Sequence, residues 1–417
     1  MIDFLVKRRR YAELLVRFGL NVVPGQVVNI GAEACSRDFV IDVVDAAYAA
    51  GAKFVNVDLI DQRVLRSRVL YSGFDDYGYV PAFMGVKYKD LVDEASANLR
   101  IIGSEDPEIL SDLDPKALNK IRLSQHLAIK YFYDEGIGKS KVQWTVAAAA
   151  TPGWARKLFP HETEQQGVEK LWNAIFDICR VGNDNFLELW RAHDAALHAR
   201  AEKLNTLKIK KLHFVGPGTD LNVYLSNKAL FKGGSDVGPR GVSFEPNVPT
   251  EEVFTTPDAR LTEGFVTTTR PFLVNGRLIK GLKLEFSKGV ISSFSAEEGE
   301  DTFREYISSD DGAVRLGEVA LVGIDSPVYK SGIVFEEILF DENAACHIAV
   351  GSAYKCCLNG GTTMTKEELQ AVGCNESSVH TDMMISSEEV NVHAELFDGS
   401  SVSLITKGLW DEAFLKY

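Results

Sequence analysis

The chain has 417 residues, 45% of them hydrophobic and 25% charged, with a formal net charge of −14. The length suggests two or three domains with enough chain to bury a large core. The acidic balance argues against nonspecific nucleic-acid binding, which rests on phosphate neutralisation by Lys and Arg. No run of about 18 uncharged apolar residues offers a transmembrane helix. The apolar stretch at the N-terminus is too short for a signal-peptide core. The expectation is a cytoplasmic protein with neither nucleic acid nor membrane as partner.

In chain order, the first half alternates helical and strand patterns. Leu5, Leu14, Leu15 and Phe18 among basic residues suit an amphipathic helix over 3–19. Val27-Val28-Asn29-Ile30 reads as a buried strand, and Phe39 to Ala50 as a helix closed by Gly51. Further strands are expected at 54–57, 99–102 and 143–147, with helical patterns near 87–97 and 114–131. Strands separated by helices imply a parallel sheet with helices on its faces. Residues 163–205 read as two helices broken at Arg180-Val181-Gly182-Asn183-Asp184.

From about residue 207 the texture changes to hairpins. Alternating apolar residues flank Gly216-Pro217-Gly218, Ser287-Lys288-Gly289 and Asp398-Gly399. The expected architecture is an α/β N-terminal domain over 1–205, a parallel sheet with flanking helices. A hairpin-rich α+β C-terminal catalytic domain over 206–417 follows it. The six cysteines form no Cys-x-x-Cys pair and match no common zinc spacing, so reduced thiols are expected. The first-half strands are followed by no Gly-x-Gly-x-x-Gly or P-loop, so no nucleotide cradle is visible.

Carboxylates and histidines concentrate in the second half. Glu251-Glu252 lie between Pro249 and Pro257, in a segment expected to be extended or turned. Glu318 starts an otherwise apolar strand, where an isolated buried charge is costly unless paired or metal-bound. Glu342 and His347 are five apart, off ideal helical spacing, so a turn is needed to converge them. His380 and Asp382 are two apart and share one side of a strand. Such a set suits two divalent ions that clamp a substrate oxygen and activate a water. Ordinary alternatives stand beside this reading. Glu252 suits a solvated loop, Glu318 a pair with Arg315, and His347 a satisfied core imidazole. Tyr354 suits a packed aromatic.

The segments 247–257, 315–322, 340–354 and 375–385 resemble, in order and spacing, the aminopeptidase T family of metallopeptidases. That family includes aminopeptidase S and PepS-type enzymes. The resemblance implies a metal-dependent aminopeptidase that releases N-terminal residues through a metal-activated water. By motif it implies metal ligands at Glu252, Glu318, Glu342, His347, His380 and Asp382. It implies further that Glu318 bridges the ions and that Glu318 and Tyr354 carry catalysis. Two divalent ions are implied, zinc or cobalt, with manganese and magnesium as competitors for a mixed O/N site. Peptides with a free N-terminus are the implied partners, and a homodimer the implied assembly. Cys346 departs from the small Ser or Ala expected there, and opens the site to thiol reagents. Two alternatives stay open: a two-metal amidase or esterase on non-peptide substrates, and a metal-binding module without catalysis.

Overall fold

The computed structural model describes residues 3–415. The chain divides into two compact units, Met1–Arg191 with Ser235–Val248, and Ala192–Gly234 with Pro249–Tyr417. This differs from a single cut near residue 205. The division falls inside the helix Phe186–Leu207. Residues 235–248 return to the first unit because their backbone extends its sheet: Val146 N donates to Pro246 O at 2.7 Å, and Thr145 Oγ1 to Glu245 O at 2.9 Å.

The first unit is the expected α/β layer structure. Strands β1 (Val27–Glu33), β2 (Phe54–Ile60), β3 (Ala97–Ile102) and β4 (Gln143–Ala148) are parallel, and Asn247–Val248 adds a short fifth strand. Their order across the sheet is β2-β1-β3-β4 and then the 247–248 segment. Helices start where the sequence offers caps. Asp114 accepts from Lys116 N before Pro115 opens one helix, and Thr163 forms a capping box with Gln166 before another. Gly51, at φ 94°, ends Arg37–Ala49 as expected. Two helices carried no clear periodic signal. Gln62–Tyr71 buries no residue, and Pro152–Leu158 is only seven residues long.

The second unit holds two large antiparallel sheets and a two-stranded one, Phe272–Val274 with Arg277–Ile279. The larger contains all three expected hairpins. Its strands run, in spatial order, Val290–Ser295, Lys283–Ser287, Glu263–Thr267, Thr219–Tyr224, Ile209–Gly216, Asn391–Leu396, Ser401–Thr406 and Leu409–Trp410. The smaller has four strands: β5 (Val253–Thr255), β6 (Leu316–Leu321), β7 (His347–Gly351) and β8 (His380–Met384), each paired with the next. Among the described residues no helix is long and apolar enough to cross a membrane.

The two faces of the small sheet differ in chemistry. Directly opposed residues of antiparallel strands share a face. One face carries Val253, Leu316, Val319, Leu321, Ile348, Val350 and Met383, all in the main core of this unit. The other carries Glu318 opposite Ala349 opposite Asp382, with His347 opposite Ala320 and His380 opposite Gly351. A bulge between Leu316 and Glu318 sets this arrangement. Unbroken pairing from Leu316–Val350 would set Glu318 against Ile348 and turn it into the apolar face. Gly317 makes the bulge possible: a Cβ there would lie 2.3 Å from Ser352 O and 2.4 Å from Gly351 O.

Gly317→Ala is therefore expected to lower stability by about 1–3 kcal/mol, the usual cost of forcing a methyl into packed structure. The measurement is the urea midpoint. A midpoint equal to the parent's would show that the bulge tolerates a side chain.

Candidate metal centre

The polar face of the small sheet gathers the candidate residues onto rigid strands. Glu318 and Asp382 flank Ala349, and His347 and His380 stand one pleat to either side on β7 and β8. Glu252 joins them from the turn before β5. Only the small residues Ala320, Ala349 and Gly351 stand between these side chains. Two groups of candidate ligand atoms form, Glu252–Glu318–His347 and Glu318–His380–Asp382, each with its atoms within 4.8 Å of one another. Glu318 belongs to both.

Both imidazoles are oriented by backbone carbonyls. His347 Nδ1–H donates to Ala345 O at 3.2 Å, and His380 Nδ1–H to Ser352 O at 2.8 Å. These bonds fix the tautomer so that each Nε2 faces the carboxylates, the arrangement that commonly orients metal-binding histidines. His347 Nε2 lies 3.0 Å from Glu252 Oε2. His380 Nε2 lies 3.2 Å from Glu318 Oε2 and 3.5 Å from Asp382 Oδ1. Yet Glu252 Oε2 and His380 Nε2 are buried with no hydrogen-bond partner of good geometry. Buried polar atoms left in this way are what a coordinated cation satisfies. The donor set is oxygen and imidazole nitrogen with no thiolate, which suits borderline or hard divalent ions. The residues therefore fit divalent ions of that kind.

The electrostatics agree. Burial pushes the Glu318 carboxyl up to about 7, with His380 opposing and Asp382 and Glu252 adding to the rise. Burial also raises Glu342 well above the usual range, reinforced by Glu252 and Asp382. For His347, burial opposes the proton, but Glu252, Asp382 and Glu318 outweigh it and lift the imidazole to about 10. Asp382 is likewise penalised by burial, yet His380 and His347 draw it below its ordinary value. This is a buried excess of negative charge, and divalent cations are its natural counter-charge.

Five of the expected residues, Glu252, Glu318, His347, His380 and Asp382, come together in the two groups. Glu342 belongs to neither. It occupies a 3₁₀ turn before β7, half-buried, with Asn343 Nδ2 3.5 Å from its Oε1. Tyr354 follows β7 and stands edge-on to His380, ring centroids 5.2 Å apart, and to Phe254 at 5.5 Å. Its residue is 43% exposed. Crowding by protein atoms and the nearby Glu318 and Asp382 raise its phenol well above normal, so it remains a protonated donor. Arg315 does not pair with Glu318; its guanidinium donates to Ala259 O and Lys288 O.

Asn343 was not singled out by sequence reasoning. Its Oδ1 accepts from Glu251 N at 2.6 Å and its Nδ2 donates to Leu339 O at 2.9 Å, which pins the turn carrying Glu252. Nothing in its spacing signals that role. Cys346 is corrected as a reactive position. Its thiol is buried in the core, contacts Val322 O at 3.3 Å, and is pushed up to about 11 by burial. A protonated, inaccessible sulfur is a poor target for thiol reagents.

The family described as thermophilic metalloprotease (M29) matches residues 6–410. Aminopeptidase T of Thermus aquaticus is 39% identical over 98% of this chain and 100% of its own length. Aminopeptidase AmpS of Bacillus subtilis is 37% identical, again over 98% and 100%. The solved structure of wild-type AmpT from Thermus thermophilus superposes with a TM-score of 0.91 at 38% identity, covering 98% of this chain and 100% of that one. A match over almost the whole length, with the same fold, settles the classification: the chain belongs to the M29 family of metallopeptidases.

Proposed function

We propose that this chain is a metal-dependent aminopeptidase that holds two divalent ions, zinc or cobalt, with Glu318 shared between them. The observation that carries this reading is the pair of ligand groups with Glu318 common to both. Family membership and relatives named as aminopeptidases support the reaction class. Glu252 and His347 complete one position, and His380 and Asp382 the other.

When bound, such ions supply Lewis-acid polarisation and a water acidified toward neutral pH. The chain's own groups do the rest. Carbonyls of Ala345 and Ser352 keep both imidazoles aimed. Glu342, beside the cluster but outside both groups, takes a proton from the attacking water and passes it to the leaving amine. The Tyr354 hydroxyl donates to the scissile carbonyl oxygen as negative charge develops there.

A homodimer is proposed for the first unit's exposed apolar surface. Phe54, Val57 and Leu59 are exposed on β2 at the sheet edge, and Val64 and Tyr71 on the helix after it. Exposed apolar patches of this kind mark association surfaces, and an open strand edge invites a partner. Sedimentation of the purified chain is expected to give a dimer; a monomer at micromolar concentration would remove the proposal.

Aminoacyl-p-nitroanilides with a free amine are expected to be hydrolysed, and their N-acetylated forms not. EDTA should abolish turnover, with zinc or cobalt restoring it more fully than manganese or magnesium. Equal cleavage of the acetylated substrates would point instead to an amidase.

Glu318→Gln is expected to lower kcat by at least about a thousandfold and to reduce bound metal below two ions per chain, since one side chain serves both positions. Tyr354→Phe should keep both ions and the KM while kcat falls about a hundredfold, the range for loss of one oxyanion donor. Glu342→Gln should likewise keep the metal and lose kcat. Full metal content and activity in Glu318→Gln would refute the shared ligand.

A further inference from the structure

Four of the five residues in the two ligand groups stand on paired strands: Glu318 on β6, His347 on β7, His380 and Asp382 on β8. Glu252 does not. It precedes β5, a strand of three residues at the edge of the small sheet, whose pairing with β6 starts at Val253. Pro249, three residues earlier, has no N–H to give to a ladder. A ligand has to be held to within about 0.5 Å of its working position. Backbone outside a ladder needs other restraints to reach that.

Side chains supply them. Asn343 Nδ2 donates to Pro249 O at 3.4 Å, and its Oδ1 accepts from Glu251 N at 2.6 Å. From the helix Phe186–Leu207, His193 Nε2–H donates to Thr250 O at 2.7 Å. A carbonyl only accepts, so this contact places a proton on Nε2. The same nitrogen lies 3.6 Å from Glu251 Oε2. Thr250, Glu251 and Glu252 are all buried. Gly233 closes against the same stretch: a Cβ there would sit 2.7 Å from Glu252 O. Three consecutive residues, 249 to 251, are thus held by two side chains, and the next residue is Glu252. All of them belong to the second unit.

The restraint bears on one side of the metal centre. Glu252 belongs to the group with Glu318 and His347, and not to the group of Glu318, His380 and Asp382.

We propose that His193 is a positioning residue for Glu252, and through it for the metal position that Glu252 shares with Glu318 and His347. This rests on the reading of those residues as ligands. The imidazole is not itself a ligand. It holds the Thr250 carbonyl and faces the Glu251 carboxylate, which fixes the peptide planes leading into Glu252. Without it the buried Thr250 carbonyl loses that donor, and the turn shifts to recover one elsewhere. The Glu252 carboxylate then leaves its place 3.0 Å from His347 Nε2. The position formed by Glu318, His380 and Asp382 keeps its geometry.

The test is zinc titration of the metal-free protein against a chromophoric chelator. The parent chain is expected to take up two ions. His193→Phe keeps a ring and removes the donor. It should retain one ion at no less than the parent's affinity and bind the other about 10–100-fold more weakly, the usual range when an outer partner of a ligand is lost. The metal-free proteins should melt alike. His193→Gln, whose amide nitrogen stands in for Nε2, should restore both ions. Glu252→Ala should show the same single loss, and adding His193→Phe to it should cost nothing further, because both act at one position. If His193→Phe fails to fold, His193→Ala takes its place. Two ions at parental affinity in the variant, equal weakening of both, or a glutamine variant as weak as the phenylalanine one would each overturn the proposal and leave the metal centre standing. A parent chain that binds no zinc would overturn the ligand reading and this inference with it.

Discussion

The second unit is organised around an electrostatic difficulty: carboxylates held close together and out of water. Glu252, Glu318 and Asp382 are all buried, with Glu342 beside them. Burial, reinforced by the neighbouring charges of Asp382 and Glu252, lifts the Glu318 carboxyl to about 7. The two imidazoles are the protein's own counter-charge, and carbonyl hydrogen bonds hold them in position. The apolar reverse face of the same sheet offsets this cost. Val319, Ile348 and Met383 anchor the strands in the core directly behind the charged residues. Burying each such side chain contributes about 1.5–3 kcal/mol.

The connection from β7 to β8 serves the same end. It runs from Ser352 through Tyr354 to Val379, just before His380, and folds over a small cluster of Ala353, Leu358, Leu369 and Cys374. Asn375 Nδ2 ties this segment to Gly351 O at 2.7 Å and Gly312 O at 2.8 Å. Asp310 accepts from Ser377 Oγ and Ser378 N just before His380. Burial opposes the Asp310 charge, but these hydroxyls and amides outweigh it and hold the carboxyl down at about 2. The tyrosine and the histidine are therefore positioned by one pinned segment.

Much of this was legible in the sequence, for identifiable reasons. Apolar runs bounded by turns located β1, β3 and β4, and Gly-containing turns located the three hairpins. The two-residue spacing of His380 and Asp382 placed them on one face of β8. Convergence of Glu252, Glu318 and His347 was not legible from spacing. It depends on pairing among β5, β6 and β7 and on a one-residue bulge, and pairing partners leave no local trace. The resemblance carried that information instead. Gln62–Tyr71 escaped because a helix that buries nothing has no apolar stripe to read. The return of residues 235–248 to the first unit escaped because Asn247–Val248 is too short to show a strand period.

The candidate ligands are spread from Glu252 to Asp382 and meet only across paired strands. Long-range contacts of this kind form late, after loop closure has been overcome. During synthesis, a chain that has not yet emitted β8 lacks the second ligand group altogether. A chain in which β6 and β7 have not found their bulged register aims Glu318 the wrong way. If these residues are the ligands proposed above, hydrolytic competence waits for the native sheet. A nascent or misfolded copy of a peptide-cleaving enzyme is inert toward its neighbours until it is complete.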